Sequence, residues 1–184
     1  GKPDPIFSEA HALAALGRVG ELGRLVEQNF RGVELQRIRL AVEASAELRA
    51  HGHPKAALEM ARRVVDELPP NPVRDVGTRW YMATLMMLAE RPDESLALYA
   101  DLASGNPDNA LLVGSHGAMA AFLGDEQAAR HLSQRLEELA DPRLFGLDLY
   151  LQATIAAGLG DREEAVEHLH AALRAGYLFN LSFH

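Results

Sequence analysis

The sequence predicts an all-α fold, a solenoid of about five antiparallel helix pairs. Asx-Pro pairs recur every 35 residues, at Asn71-Pro72, Asn106-Pro107 and Asp141-Pro142. Short turns between apolar helical stretches fall at residues 17, 52, 90, 124 and 160. Strong helix formers dominate, and the alternating β-branched runs typical of strands are missing. A fixed period of this length indicates small units that bury their apolar faces against their neighbours.

The first two pairs are bounded by short polar or glycine-containing turns. The first pair is predicted to run over residues 6–16 and from 19 to about 30, around Gly17-Arg18. The second is predicted over residues 37–50 and 56–68, around His51-Gly52-His53-Pro54. Both pairs carry apolar residues at helical spacing, which is typical of helices with one buried face.

The later pairs each open at an Asx-Pro. The third is predicted to start at Asn71-Pro72 and to turn at Glu90-Arg91-Pro92, and the fourth to start at Asn106-Pro107 and to turn at Gly124-Asp125. In the fifth, Asp141 is predicted to cap a helix that begins with Pro142. Asp161 and Glu164 then form a capping-box pattern for its second helix.

These pairs predict one repeat domain over residues 1–184. Its approximate units are 3–32, 33–70, 71–105, 106–140 and 141–176, followed by an apolar tail, 177–184. We expect the tail to fold back on the last helix pair, because the end of a solenoid exposes an apolar face. A truncated chain or a homodimer contact through the tail remains an alternative.

The last unit resembles a tetratricopeptide (TPR) repeat. Small residues, Ala153 and Ala165, stand where TPR helices cross, and Leu169 and Ala172 fill later apolar positions. The same register gives small residues in the other units, although the Trp of the ideal repeat is missing from most of them and two units depart from 34 residues. The resemblance implies a right-handed superhelix whose first helices line a concave face.

The resemblance also implies which side chains that concave face presents to a protein or peptide partner. The predicted partner-binding residues are Arg39, Trp80, Thr84, Met87, Ser115, Phe122, Tyr150 and Thr154, and His11, Val42 and Leu88 share the face. Aromatic groups among them suit anchoring, because they contribute large contact area at low entropic cost. The positions that grip a chaperone C-terminus in some TPR proteins carry Val42, Ala46, Trp80, Thr84, Gly114 and Ala118, which cannot form that clamp.

The net charge, the apolar runs and the cysteine content of the chain restrict the classes of function that we expect. The formal charge of −8 opposes nucleic-acid binding, which depends on Lys and Arg that neutralise phosphates. No apolar run approaches the ~18 residues of a membrane span, and the N-terminus lacks a signal-peptide pattern. The absence of cysteine excludes disulfides and thiolate sites, which suits a cytoplasmic location.

No motif predicts catalysis, a cofactor or a metal. A phosphate-binding glycine loop, a nucleophile elbow and an HExxH pair are all missing. Ser115 and His116 point about 100° apart on one helix, which is poor geometry for a nucleophile and its base. His168 and His170 are two residues apart and diverge, while His168 lies four after Glu164 and forms a surface pair. We therefore expect a non-enzymatic module.

Two further functions remain open from the sequence. Gly114 is expected to face the groove and to leave a dip near Phe122, which predicts a sensor for a small molecule or a signalling peptide as an alternative to a scaffold. The apolar tail predicts an oligomerisation module as another. In each case the chain could be one part of a larger regulatory protein.

Overall fold

The computed structural model describes residues 5–29, 34–68 and 75–177, and every regular element in these ranges is helical. The predicted all-α fold of helix pairs is therefore confirmed. The α-helices are α1 (Pro5–Ala15), α2 (Val19–Gln28), α3 (Glu34–Ala50), α4 (Pro54–Glu67), α5 (Val76–Leu88), α6 (Pro92–Gly105), α7 (Ala110–Phe122), α8 (Glu126–Glu138), α9 (Leu147–Leu159) and α10 (Arg162–Arg174).

The five predicted turns within the pairs are confirmed, and all share one backbone conformation. Gly17, Gly52, Gly124 and Gly160 have φ between +67° and +84°, and Glu90 has φ +58°. Glycine adopts this left-handed region without a steric penalty, and it ends a helix so that the chain can reverse. Glu90 holds the same turn without that freedom.

The chain divides into two compact units, and the boundary lies within α6, after Ser95. In the described part of unit 1, residues 5–95, α1 packs on α2 and α3, and α3 packs on α4 and α5. In unit 2, residues 96–177, α7 packs on α8 and α9, and α9 packs on α10. Helices in extended contact are therefore neighbours or next-but-one neighbours in sequence, which is the packing of an α-solenoid.

Unit 1 combines an apolar core with hydrogen bonds between side chains and atoms of neighbouring helices. Leu22, Ile38 and Leu85 are fully buried. The Ser95 hydroxyl donates to the Ala83 carbonyl across the α5–α6 pair at 2.8 Å. On the surface, Arg63 of α4 donates to Glu27 of α2 at 2.6 Å.

Unit 2 depends on close helix approach. A Cβ atom on Gly117 of α7 would lie 2.6 Å from Ile155 Cδ1 of α9, so only glycine fits there without a shift. The α7 and α9 helices therefore approach closely at Gly117. Ala153 and Ala165 are likewise buried at the α9–α10 crossing, as the repeat register predicts.

Two predicted helix starts are wrong. The helix after Asn106-Pro107 begins at Ala110, because Asn109 caps it by accepting from the Leu112 N–H at 3.3 Å. Asp141 caps only the 3-10 turn Pro142–Leu144, and α9 begins at Leu147. Gly146 (φ +82°) breaks the helix there, and a Cβ on it would lie 2.6 Å from the Ala172 carbonyl oxygen of α10.

The predicted capping box of α10 is also wrong. Asp161 makes no side-chain capping bond. Its Oδ2 instead accepts from Arg130 Nη2 of α8 at 3.0 Å. The Glu164–His168 pair does form, with 3.7 Å between Oε1 and Nε2.

Two other predictions fall outside the described residues. The Asn71-Pro72 start is one, and α5 begins at Val76, where Asp75 accepts from the Thr78 N–H at 3.0 Å. The other is the tail, of which only Tyr177 is described. The predicted boundaries of the five repeat units stay a prediction.

Candidate functional site

The predicted partner-binding residues lie on the first helices of the pairs, and they divide between the two units. Unit 1 carries those of α3 and α5, and unit 2 carries those of α7 and α9. In unit 1 they are Arg39, Trp80, Thr84 and Met87, and in unit 2 they are Ser115, Phe122, Tyr150 and Thr154.

A buried carboxylate organises the unit 1 residues. Glu43 of α3 is 1% exposed. Its Oε1 accepts from Arg39 Nε at 3.0 Å, one helical turn away. Its Oε2 lies 3.3 Å from His11 Nε2 of α1 without hydrogen-bond geometry. Buried polar atoms need hydrogen-bond partners, and the Arg39 side chain supplies one for Oε1, which restricts the position of Arg39.

Aromatic rings complete this group. The Arg39 guanidinium lies over the Phe7 ring of α1, 4.6 Å from the centroid, which is a cation–π contact. Tyr81 of α5 is half-buried, and burial raises the pKa of its hydroxyl, with Arg39 lowering it and Glu43 raising it further. We call Phe7, His11, Arg39, Glu43 and Tyr81 the α1–α3–α5 cluster.

Sequence reasoning named Arg39 and His11 for the concave face but did not name Glu43, which lies between them in the structure. The signal for Glu43 was its position four residues after Arg39, since such pairs interact on one helix face. Opposite charges at this spacing are common on solvated faces, however, and the sequence alone gives no sign that this one is buried.

Trp80 and Thr84 extend the cluster along α5. The Trp80 and Tyr81 rings meet edge to face, with centroids 4.8 Å apart. The Thr84 hydroxyl donates to the Trp80 carbonyl at 3.1 Å. Trp80, Thr84 and Met87 are all half-buried, so each exposes part of its surface.

Two expectations for the concave face are wrong in unit 1. Val42 is 2% exposed and Leu88 is 7% exposed, so neither presents a surface to a partner. Both are apolar residues on helices that contact other helices along more than one side, and burial there is the more favourable state.

In unit 2, the chain itself covers one face of the half-buried Tyr150 ring. Its ring stacks on Tyr177 with centroids 4.6 Å apart and planes 17° apart. Thr154, one turn along α9, is exposed and donates to the Tyr150 carbonyl at 3.0 Å. Phe122 at the end of α7 is 66% exposed, and Ser115 is half-buried.

The predicted dip at Gly114 is filled. Gly114 is buried, and a Cβ on it would lie 2.6 Å from Cδ1 and 2.7 Å from Cβ of Leu151. The space in front of this glycine therefore holds a side chain of α9. The sensor pocket expected near Gly114 and Phe122 was a wrong prediction.

Among the described residues outside the cluster, His116 of α7 is an ionisable group whose pKa is shifted. His116 is half-buried, and burial lowers its pKa, with Asp125 opposing the shift. Over residues 5–29, 34–68 and 75–177, no three His, Cys, Asp or Glu side chains are placed to hold a metal ion. In the same ranges, no helix has the length and apolarity needed to cross a bilayer.

Comparison with known proteins gives only distant likenesses. A scan against protein-family models finds no match, and a search of curated proteins finds no relative. The solved structure "MamA AMB-1 P212121" is 19% identical over 94% of this chain and 98% of that chain, with a TM-score of 0.45. "MamA MSR-1 C2" is 18% identical over 92% and 94%, with a TM-score of 0.43. These similarities are too distant to establish a family or a function for this chain. The fold is established by the helix packing itself.

Proposed function

We propose that the protein is a non-catalytic scaffold module that binds a protein or peptide partner on the first helices of its pairs. The α1–α3–α5 cluster of unit 1, together with Trp80 and Thr84, is the proposed centre of that surface. The observation that carries the proposal is the fixed orientation of Arg39 between a buried carboxylate and an aromatic ring.

Pre-organisation is what makes this group suitable for binding. Arginine side chains lose conformational freedom when they form an interface, and that loss weakens binding. Here the Glu43 bond and the Phe7 contact restrict Arg39 before any partner arrives. Its side chain is still 37% exposed, so it can contact a ligand.

Trp80 supplies the apolar part of the proposed surface. Trp and Arg are the residue types that most often dominate interface energies. Thr84 and Met87 continue along α5, which suits an extended peptide or a partner helix. In unit 2, Ser115, Phe122, Tyr150 and Thr154 are proposed as further contacts.

The test uses the single tryptophan of the chain. A peptide array probed with the whole chain selects binding sequences, and each selected peptide is then titrated while Trp80 fluorescence is recorded. Binding at the proposed surface changes that fluorescence. Because Trp80→Ala removes that fluorophore, the affinities of the parent and all variants are compared by the fluorescence anisotropy of a dye-labelled copy of each selected peptide. We expect Arg39→Ala and Trp80→Ala to weaken binding at least tenfold, and Tyr150→Ala to weaken it less.

The matched control is Glu59→Ala, at an exposed position of the second helix α4. It should bind as the parent does. Each variant is first checked for a parent-like melting temperature and helical circular dichroism. If folded Trp80→Ala and Arg39→Ala variants bind every selected peptide as well as the parent, the proposed surface is wrong.

A further inference from the structure

We propose that residues 178–183 dock in an apolar groove on α9 and α10, so that the chain covers exposed apolar side chains of its last helix pair. The groove has a volume of about 570 Å³. Ala157 lines it from α9, and Ala165, Val166, Leu169 and Leu173 line it from α10. Residues 178–183 lie outside the described part of the chain.

The groove needs a cover. Val166, Leu169 and Leu173 stand at helical spacing and form one apolar stripe along α10. Val166 and Leu173 are each 48% exposed. Contiguous exposed apolar surface of this kind marks an interaction site, because removing it from water is favourable.

The position of Tyr177 directs the following segment toward the groove. After α10 the chain turns at Gly176 (φ +93°), and the Tyr177 N–H donates to the Ala172 carbonyl at 2.9 Å. The Tyr177 ring then stacks on Tyr150 of α9. Tyr150 and Ala157 are seven residues apart, about two helical turns, so they share one face of α9. Ala157 lines the groove.

The sequence of the segment fits an extended occupant. Phe179, Leu181 and Phe183 alternate with Asn180, Ser182 and His184. In an extended chain this alternation places the three apolar side chains on one face and the polar ones on the other. Six extended residues span about 20 Å, and α10 from Arg162 to Leu173 is about 17 Å long.

Introduced cysteines test the docking directly, because the chain has none of its own. We pair Val166→Cys with Phe183→Cys in one variant and Leu173→Cys with Phe179→Cys in another. The control pairs Phe183→Cys with Gln127→Cys, which is exposed on α8. Oxidation in dilute solution is followed by non-reducing gels and intact mass.

Docking predicts an intramolecular disulfide in both groove pairs that forms at least tenfold faster than in the control. A disulfide that forms only between chains means that a second copy fills the groove. Formation no faster than in the control means that the segment does not lie there. Either of these two results overturns the proposal.

A second measurement does not depend on disulfide geometry. Replacing Phe179 and Phe183 together by Ser should uncover the groove, so that an apolar dye such as anilinonaphthalene sulfonate binds with several-fold higher fluorescence. Adding Val166→Ser and Leu173→Ser should abolish that increase. Parent-like dye fluorescence in the first variant contradicts the proposal. The scaffold function does not depend on this result, since its test uses Trp80 in unit 1.

Discussion

Unit 1 and unit 2 are both built from antiparallel helix pairs, but different residue types lie at the contacts between their first helices. Between α1, α3 and α5, unit 1 buries polar groups, with Glu43 and Ser45 at 1% and 0% exposure. Between α7 and α9, unit 2 places Gly114 and Gly117 against the side chains of α9. The α1–α3–α5 interface thus contains an ion pair, whereas the α7–α9 interface depends on close contact at two glycines, although α9 also buries Asp148 and Gln152, which are 7% and 4% exposed.

The buried carboxylate of unit 1 and the helix glycines of unit 2 each carry a cost in free energy, and a different interaction offsets each cost. A buried carboxylate costs solvation free energy, and it is retained where it orients another group. Glycine in a helix costs about 1 kcal/mol relative to alanine, and close packing offsets that cost. This contrast is the reason that the proposed binding surface is centred on unit 1.

The largest expected effect comes from adding one methyl group in each unit. Gly114→Ala should lower the free energy of unfolding by about 2 kcal/mol, because the new Cβ overlaps Leu151. Gly23→Ala in α2 meets nothing within 4 Å and should raise it by about 0.5–1 kcal/mol through helix propensity. Urea unfolding measures both. Equal effects at the two sites would remove the contrast between the units.

The next effect concerns the buried charge. Glu43→Gln keeps the shape of the side chain but weakens its bond to Arg39, and we expect it to cost about 1.5 kcal/mol. Arg39→Ala should then cost much less in the Glu43→Gln background than in the parent. A double-mutant cycle by urea unfolding gives the coupling. If the two costs simply add, Glu43 does not hold Arg39.

A smaller effect compares the turns of the two units. Glu90 in unit 1 has φ +58°, where a non-glycine residue is strained by about 1–2 kcal/mol. Glu90→Gly should relieve this strain and raise the melting temperature. The rise should be slight, because the substitution also removes an exposed ion pair with Arg62. Gly124→Ala in unit 2 should lower stability by about 1 kcal/mol. Calorimetry distinguishes these opposite signs, and a loss at both sites would contradict the strain argument.

Local signals in the sequence predicted the helix pairs and the turns well. Gly17, Gly52, Gly124 and Gly160 end helices through a property of glycine itself, so no distant contact is needed. The late start of α7 also has a local cause, the Asn109 cap. Two other predictions failed because of contacts with other helices. α9 starts late because Gly146 lies against Ala172 of α10, and Asp161 does not cap because it pairs with Arg130 of α8.

The candidate site shows the same division. Repeat register identified Arg39, Trp80 and Thr84 as residues of the first helices. It could not show that Glu43 is buried or that Leu151 fills the space at Gly114. Both facts depend on which side chain of a neighbouring helix reaches the position, and the repeat register does not specify that.

The smallest effects are expected at two capping carboxylates, one in each unit. A side-chain hydrogen bond from Thr78, followed by the Thr78 N–H, lowers the pKa of Asp75 in unit 1. In unit 2 a side-chain hydrogen bond from Arg143, followed by its N–H, lowers the pKa of Asp141 to about 2. Thr78→Val and Arg143→Ala should each raise the pKa of the corresponding carboxyl toward its usual value, as followed by NMR titration.

The sign of the pH dependence and its response to salt distinguish the two caps. A carboxyl whose pKa is lowered on folding stabilises the fold above its unfolded pKa, and this contribution is lost as pH falls through the folded value, near 2 for Asp141. Arg143 is exposed and charged, so 0.5 M salt should screen it and raise the pKa of Asp141. Thr78 donates through a neutral hydroxyl at 2.6 Å, so the pKa of Asp75 should respond much less. Equal salt responses would mean that the two units cap these helices by the same electrostatics.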